Sequence, residues 1–230
     1  MIPHNKKFNY EELIQVNNDN GTRHYVTPHG NAPSVTTILS ATKDHTFLKE
    51  WRERIGDAAA DDIVNQSSTI GTHMHNSIEH WIKGEDDVKG SNILRKQARK
   101  LATILIQKGL KDNLSEYWGS EVHMHLDNLY AGTTDLVGVY DGIPSIIDFK
   151  NSRKPKKEEY IEDYKHQLVA YGMAHNEKYG TNIKQGVILM MSREGKHFGE
   201  FQRFYLHGSQ WDHYEVEWLK RLERFYEKKC

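Results

Sequence analysis

The sequence is nearly devoid of cysteine: Cys230, the last residue, is the only one among 230. A single thiol excludes an intramolecular disulfide framework, a cysteine zinc site and a cysteine-held iron–sulfur cluster. Apolar runs are short as well. Hydrophobic residues make up 37% of the chain, and no stretch approaches the roughly 18 residues that a membrane helix needs. The N-terminus lacks the apolar core of a secretory signal, and Glu11 and Glu12 do not suit an acid-poor transit peptide. The expected compartment is therefore a reducing cytoplasm, with no membrane partner. Neither charge is in excess: 31 basic against 32 acidic residues leave a net −1. As a total, that does not announce a polyanionic partner.

The distribution of charge says more. Residues 91–111 hold six basic side chains and no acid, among them Arg95, Lys96, Arg99 and Lys100. Residues 150–157 hold five more, including Arg153 and Lys154, again without an acid. Acids collect at 50–62 and 158–163. A neutral chain can thus carry basic tracks for a phosphate backbone, although a solvated helix face gives the same pattern.

Residues 17–21 read as a hairpin turn between strands at 13–16 and 23–27. Residues 33–39 form a short helix or an extended entry, and Thr46 suits the cap of a helix over 47–65. A helix over 71–83 starts at Gly71, and one over 91–108 stops at Gly109. The latter sets Leu94, Ala98, Leu101 and Leu105 on one face and its first four basic residues opposite. Strands follow at 117–126, 130–140 and 143–151, the last two joined by a tight Asp141-Gly142 turn. A helix over 158–179 is closed by Gly180. Strands at 184–192 and 200–206 and a helix over 209–228 complete the chain. This order predicts an α/β fold, a mixed central β-sheet flanked by helices, in a single domain. Its parts are an N-terminal hairpin and helical region (1–70), a core (71–206) with a helical insert (84–115), and a C-terminal helix (207–230).

The reactive side chains gather around Gly132-x-x-Asp135 and Asp148-x-Lys150. Asp148 and Lys150, two apart on a strand, share a face while Phe149 points to the other. Through the Asp141-Gly142 hairpin, Asp135 can lie beside Asp148. Two converging carboxylates call for a cation, and hard oxygen donors favour Mg²⁺ or Mn²⁺. Lys150 can hold a water or a phosphate oxygen. From a helix, His75 and Glu79, four apart, could complete the metal shell. Gln167 and Tyr171, also four apart, and Tyr164 on the same side offer an amide and rings to a nucleotide.

Together, Gly71-x-x-x-His75-x-x-x-Glu79, Gly132-x-x-Asp135, Asp148-x-Lys150 and Gln167-x-x-x-Tyr171 resemble the motifs of the PD-(D/E)XK nuclease superfamily, in its RecB-like exonuclease branch. Residues 33–36, the helix with Trp51, residues 147–156 and residues 218–222 narrow the resemblance to the mitochondrial genome maintenance exonuclease family, from about residue 33 to 226. The resemblance implies a restriction-endonuclease-like core and hydrolysis of single-stranded DNA from free ends with Mg²⁺ or Mn²⁺. It implies metal ligands at His75, Asp135 and Asp148, a catalytic lysine at Lys150, and products bearing a 5′-phosphate and a 3′-hydroxyl. It also implies a role in DNA replication, recombination or repair, with a protein partner from those processes as an option. The lack of a mitochondrial presequence points to a prokaryotic or phage relative acting in the bacterial or phage-infected cytoplasm.

Two other functions stay open at this point: a structure-selective endonuclease on the same core, and a catalytically inactive nucleic-acid-binding module. The joint presence of Asp135, Asp148 and Lys150 argues against the second. Individual residues also keep alternatives. Glu79 could orient His75 or a bound water instead of binding metal. Glu121, one strand earlier, is an outer acid of the site or a surface residue. Tyr171 is an active-site wall or core packing. With fourteen histidines in the chain, His73, His123 and His125 read as structural.

Overall fold

The computed structural model describes residues 2–18, 21–87, 90 and 92–228. The chain begins with a small antiparallel sheet of β1 (Ile14–Asn17), β2 (Arg23–Thr27) and β3 (Gly30–Pro33). The first two strands are the expected hairpin. Asp19 and Asn20 of its turn, Ser91 and Cys230 lie outside the described residues. The third strand, too short to show alternation, has no signal in the sequence. Helix α1 (Val35–Ala41) follows, capped by Ser34, whose Oγ accepts the Thr37 N–H at 3.0 Å.

The next two helices depart from expectation. Gly56, at φ +84°, separates α2 (Thr46–Ile55) from α3 (Asp57–Lys83), where one helix over 47–65 was expected. Thr46 is the first residue of α2; Asp44 receives its N–H at 2.8 Å. Helix α3 runs unbroken through Gly71, so a boundary at 70/71 cuts a continuous element. Gly71 serves close packing instead: a Cβ there would sit 2.9 Å from Asn151 Nδ2. Likewise, Gly109 does not stop α4 (Ile93–Leu105). It sits in the π-helical turn Ile106–Leu110, where a Cβ would press on Leu189 and Phe201 at 3.1 Å.

The main sheet has the order β4 (Leu114–Leu126), β5 (Tyr130–Tyr140), β6 (Ile143–Ser152), β7 (Gln185–Ser192) and β8 (Phe201–His207). Only β6 and β7 are parallel, joined through α5 (Glu162–Tyr179). Helix α6 (Gly208–Glu227) closes the chain. Asp141 and Gly142 both take positive φ, +49° and +78°, as the predicted hairpin turn demands. Strand β4 starts inside the expected insert because Leu114 already pairs with Tyr140.

Alternation along the strands feeds two cores. Val137, Ile146, Ile188 and Met190 face α1, α5 and α6; Leu136, Ile147, Phe149, Val187, Leu189 and Met191 face α3 and α4. The side-by-side contact of α5 and α6 depends on Gly172, where a Cβ would be 2.6 Å from the Trp211 ring.

The N-terminal segment crosses β4 and seals α5. Phe8 packs edge-on against His175, and the Tyr10 hydroxyl lies 3.1 Å from His175 Nε2. Burial, and to a lesser extent Lys7, push His175 down to about 4. The ring is therefore neutral when folded and charges readily when unfolded. Its contribution to stability is full above about pH 6.5 and drains away as pH falls towards 4, by up to about 3 kcal/mol. In urea titrations, wild type should lose more stability than His175→Gln between pH 7 and pH 4; equal losses would refute this assignment.

Candidate active site

The sheet forks at its centre. Strands β5 and β6 pair from Tyr140–Ile143 to Leu136–Ile147 and no further. Beyond that point β6 continues with β7 alone, and β5 continues with β4. Phe149 lies just inside the fork, where its backbone groups have lost their ladder partner on β5. Buried backbone groups need partners, and two side chains supply them. The Phe149 N–H donates to Asp135 Oδ2 at 2.6 Å, and its C=O accepts from His75 Nε2 at 2.8 Å. His75 reaches in from α3, its ring edge-on to the Phe149 ring.

That bond fixes the histidine. A carbonyl only accepts, so Nε2 carries a proton and Nδ1 faces the fork, 3.5 Å from Asp135 Oδ1. Burial works against a charged ring, but Asp135 outweighs it and raises His75 to about 9. Asp135 is correspondingly held below the usual carboxylate range: burial opposes its charge, and His75, Lys150 and the Phe149 N–H more than compensate.

Glu121 completes the cluster. The pairs Ser120–Leu136 and Val122–Thr134 bracket it and place it across from Asp135. Its backbone takes φ +51°, an uncommon conformation for a non-glycine residue. Burial, then the Asp135 charge, push its carboxyl up to about 7. His75, Glu121 and Asp135 each bring a ligand atom within 4.8 Å of the others.

Asp148 stands next along this row, one step past the last β5–β6 pair. It is 3% exposed. Burial raises it to about 6, with Asp135 adding to the rise and Lys150 opposing it. Lys150 Nζ donates to Asp148 Oδ1 at 2.8 Å and to Gln167 Oε1 at 3.2 Å. Asp148 Oδ2 is buried and makes no hydrogen bond, although Nζ lies 2.7 Å away. Burial would lower Lys150; the Asp148 and Asp135 charges raise it instead, keeping it cationic. Gln167 in turn donates to the Tyr171 hydroxyl at 3.4 Å.

This arrangement fits a divalent cation. The carboxylates of Glu121, Asp135 and Asp148, mostly hard oxygen donors, with one imidazole nitrogen, make a donor set suited to Mg²⁺ or Mn²⁺. Three carboxylates in one row are also mutually repulsive without a cation.

Several expected site residues take other positions. Glu79 is one turn beyond His75, bonded to Lys83 at 2.6 Å and to the Ser120 hydroxyl at 3.5 Å, and it does not join the cluster. Tyr171 is buried, and its hydroxyl accepts from Gln167. Its hydroxyl fills the space where a Gly132 Cβ would be, 2.7 Å away, which explains that glycine. The basic helix is not uniformly solvated opposite its apolar stripe. Lys96 and Lys100 are exposed, but Arg95 and Arg99 are half-buried against α3, near His73 (3.4 Å) and Asp87 (3.2 Å) respectively. Arg153 pairs with Glu194 at 2.7 Å, and Lys154 is exposed. His123 and His125 hold the N-terminal segment and α5 through Leu13 and Lys178, as structural histidines would.

No protein-family model matches the chain. Among curated proteins it is similar to mitochondrial genome maintenance exonuclease 1 from Homo sapiens, 28% identical over 211 residues, 86% of this chain and 59% of that protein. The Mus musculus protein of the same name is 27% identical over 213 residues, covering 85% and 59%. The Xenopus tropicalis protein is 26% identical over 219 residues, covering 87% and 59%. The chain thus spans less than two thirds of the length of these relatives. The resemblance to the exonucleases read from its motifs is borne out. Among solved structures it is similar to a putative exonuclease from Eubacterium rectale, with TM-score 0.50 and 15% identity, covering 71% of this chain and 65% of that one. At that identity the match concerns the fold, and it agrees with the mixed, helix-flanked sheet. No helix among the described residues is long and apolar enough to cross a membrane.

Proposed function

We propose that this protein is a Mg²⁺- or Mn²⁺-dependent deoxyribonuclease that hydrolyses single-stranded DNA from free ends, with the whole chain working as one catalytic domain. The observation that carries this reading is the buried Asp148–Lys150 pair set beside the His75, Glu121 and Asp135 cluster at the fork. The exonuclease names of the relatives support it.

Asp135 and Asp148, with His75 and Glu121, would hold the cation, which supplies an acidified water and polarises the phosphate. The chain's own groups do the rest. Phe149 locks Asp135 and His75 through its two backbone bonds, so both are oriented before substrate arrives. Gln167 and Asp148 hold Lys150 in place, and its ammonium stabilises the negative charge that builds on the phosphoryl oxygens. Water oxygen bonds to phosphorus as the P–O3′ bond breaks. The phosphate stays on the 5′ oxygen of the fragment downstream of the cut, and the 3′ oxygen of the other fragment takes up the proton that the water gives up. Lys96, Lys100 and Lys154 offer exposed charge for the backbone of the strand, with Arg95, Arg99 and Arg153 beside them. The genome-maintenance name of the relatives supports a role in DNA replication, recombination or repair.

End-labelled linear single strands, linear duplex and circular single strands, each incubated with Mg²⁺, Mn²⁺ or chelator, test the reading. Linear single strands should shorten only with metal, and circles should persist. Cleavage of circles would replace the proposal with an endonuclease on the same core. Binding without metal-dependent cleavage of any substrate would replace it with an inactive binding module.

A further inference from the structure

Helix α2 buries none of its residues. Phe47, Trp51 and Ile55 nonetheless repeat at four-residue spacing, with Leu48 beside the first, giving the helix an apolar stripe. Phe47 is 76% exposed and Leu48 46%. Large apolar side chains grouped in the open mark a binding surface.

The residues that share a cavity with them narrow the occupant. Phe47, Leu48 and Leu39 line a cavity of about 540 Å³ together with Lys150, Gln167 and Tyr164. That volume suits a small-molecule-sized group. Its inner end is the same Lys150 ammonium that stands over Asp148. The Tyr164 ring lies between two ammonium groups, with Lys150 and Lys156 each 5.0 Å from its centre. Two acids border the cavity, and both are engaged. Asp163 is paired with Lys43 at 2.5 Å and with Arg221 at 2.7 Å, and Asp44 holds the start of α2. A phosphodiester entering here meets the Lys150 ammonium and an Asp163 whose charge Lys43 and Arg221 offset, with Asp44 left as an anion bonded to Thr46, while the flat group attached to it meets an aromatic and aliphatic wall.

We infer that this cavity receives an unpaired nucleobase next to the phosphate being cut, with Phe47 and Leu48 as its stacking platform. The inference rests on the nuclease reading and sharpens it. A base reaches the platform only after leaving its partner and its stack, so a duplex bears an unpairing cost that a single strand does not. Selection for single strands then resides in α2, apart from the cation ligands. Every base has a face to stack, so the site favours no particular sequence.

The test compares a fluorescent oligothymidylate with one carrying base-free tetrahydrofuran residues throughout its terminal nucleotides. Affinity is read by anisotropy in chelator, so neither probe is cut. Wild type should bind the base-bearing strand about tenfold more tightly. Phe47→Ala should bind both with the weaker affinity, Leu48→Ala should show a smaller loss, and Phe47→Trp should restore the preference. Phe47 is exposed, so the fold should tolerate all three; circular dichroism checks this. A preference retained in Phe47→Ala, or absent from a wild-type protein that cleaves single strands with metal, would overturn the inference and leave the nuclease reading standing. If wild type neither binds nor cleaves any strand, both fail. If a second copy of the chain covers Phe47 instead, wild type sediments as a dimer, Phe47→Ala as a monomer, and the base preference does not move. That outcome also overturns it.

Discussion

Asp148→Ala and Lys150→Ala should each slow cleavage of a labelled single strand about 10³-fold or more, with the fold and most of the affinity for the strand intact. Asp148 contributes a buried carboxylate, paired with Lys150, one strand over from the Asp135 of the His75–Glu121–Asp135 cluster. Lewis-acid stabilisation of a phosphoryl transition state is worth several kcal/mol, and each 1.36 kcal/mol is a factor of ten in rate. Lys150 is the ammonium that Asp148 and Gln167 hold in place beside the fork. Removing Asp148 also removes a negative charge from the neighbourhood of the phosphate, so Asp148→Ala should bind the strand at least as tightly as wild type. The acids on either side of the fork separate two versions of the site. Glu121→Gln should lower the rate by one to two orders of magnitude, because Glu121 shares the cluster with His75 and Asp135. Glu79→Gln should fall by less than about threefold, because Glu79 spends its carboxylate on Lys83. Single-turnover rates with saturating enzyme, in both metals, decide the matter. Turnover of Asp148→Ala within tenfold of wild type would remove this site from consideration, and a larger loss for Glu79→Gln than for Glu121→Gln would restore the helix acid as a ligand.

That exchange of one glutamate for another shows what could be read from the chain. Strand order, both hairpins and the Asp148–Lys150 face follow from alternation and turn chemistry. Glu121 was within reach of the same reasoning. Counted back from the turn after β4, Glu121 and Asp135 are equally far from the Leu126–Tyr130 pair. Asp135 and Asp148 are likewise equidistant from the Tyr140–Ile143 pair. A row of three acids on adjacent strands is implied by those two counts. What local pattern cannot give is how a helix sits on the sheet. Four residues along α3 carry Glu79 about 6 Å from His75, enough to pass the fork and meet Ser120. Glycines misled for a related reason. Gly71 and Gly109 look like helix ends, yet each marks a place where a helix presses on a strand, a tertiary fact without a local signature. The fork itself is also tertiary: nothing in the β6 sequence says that Phe149 loses its ladder partner.

Asp135→Ala and Asp135→Asn should separate the architectural and chemical parts of this residue. In the alanine variant the Phe149 N–H, buried at the fork, loses its acceptor, and His75 loses its partner. An unsatisfied buried donor costs about 1–3 kcal/mol, so the urea midpoint in chelator should drop accordingly. In the asparagine variant the side-chain oxygen still accepts the Phe149 N–H, and the midpoint should stay near that of wild type. Cleavage should not follow the same split. Both variants remove a negative charge from the cation's donor set, so both should lose about 10³-fold or more in rate with Mg²⁺. A stable Asp135→Asn protein with near-wild-type turnover would show that Asp135 serves only to brace Phe149 and that the cation is held elsewhere. A destabilised Asp135→Asn protein would show instead that the bond from Phe149 depends on a full negative charge, and that the fork is held together by the same ionic balance that prepares it for a metal.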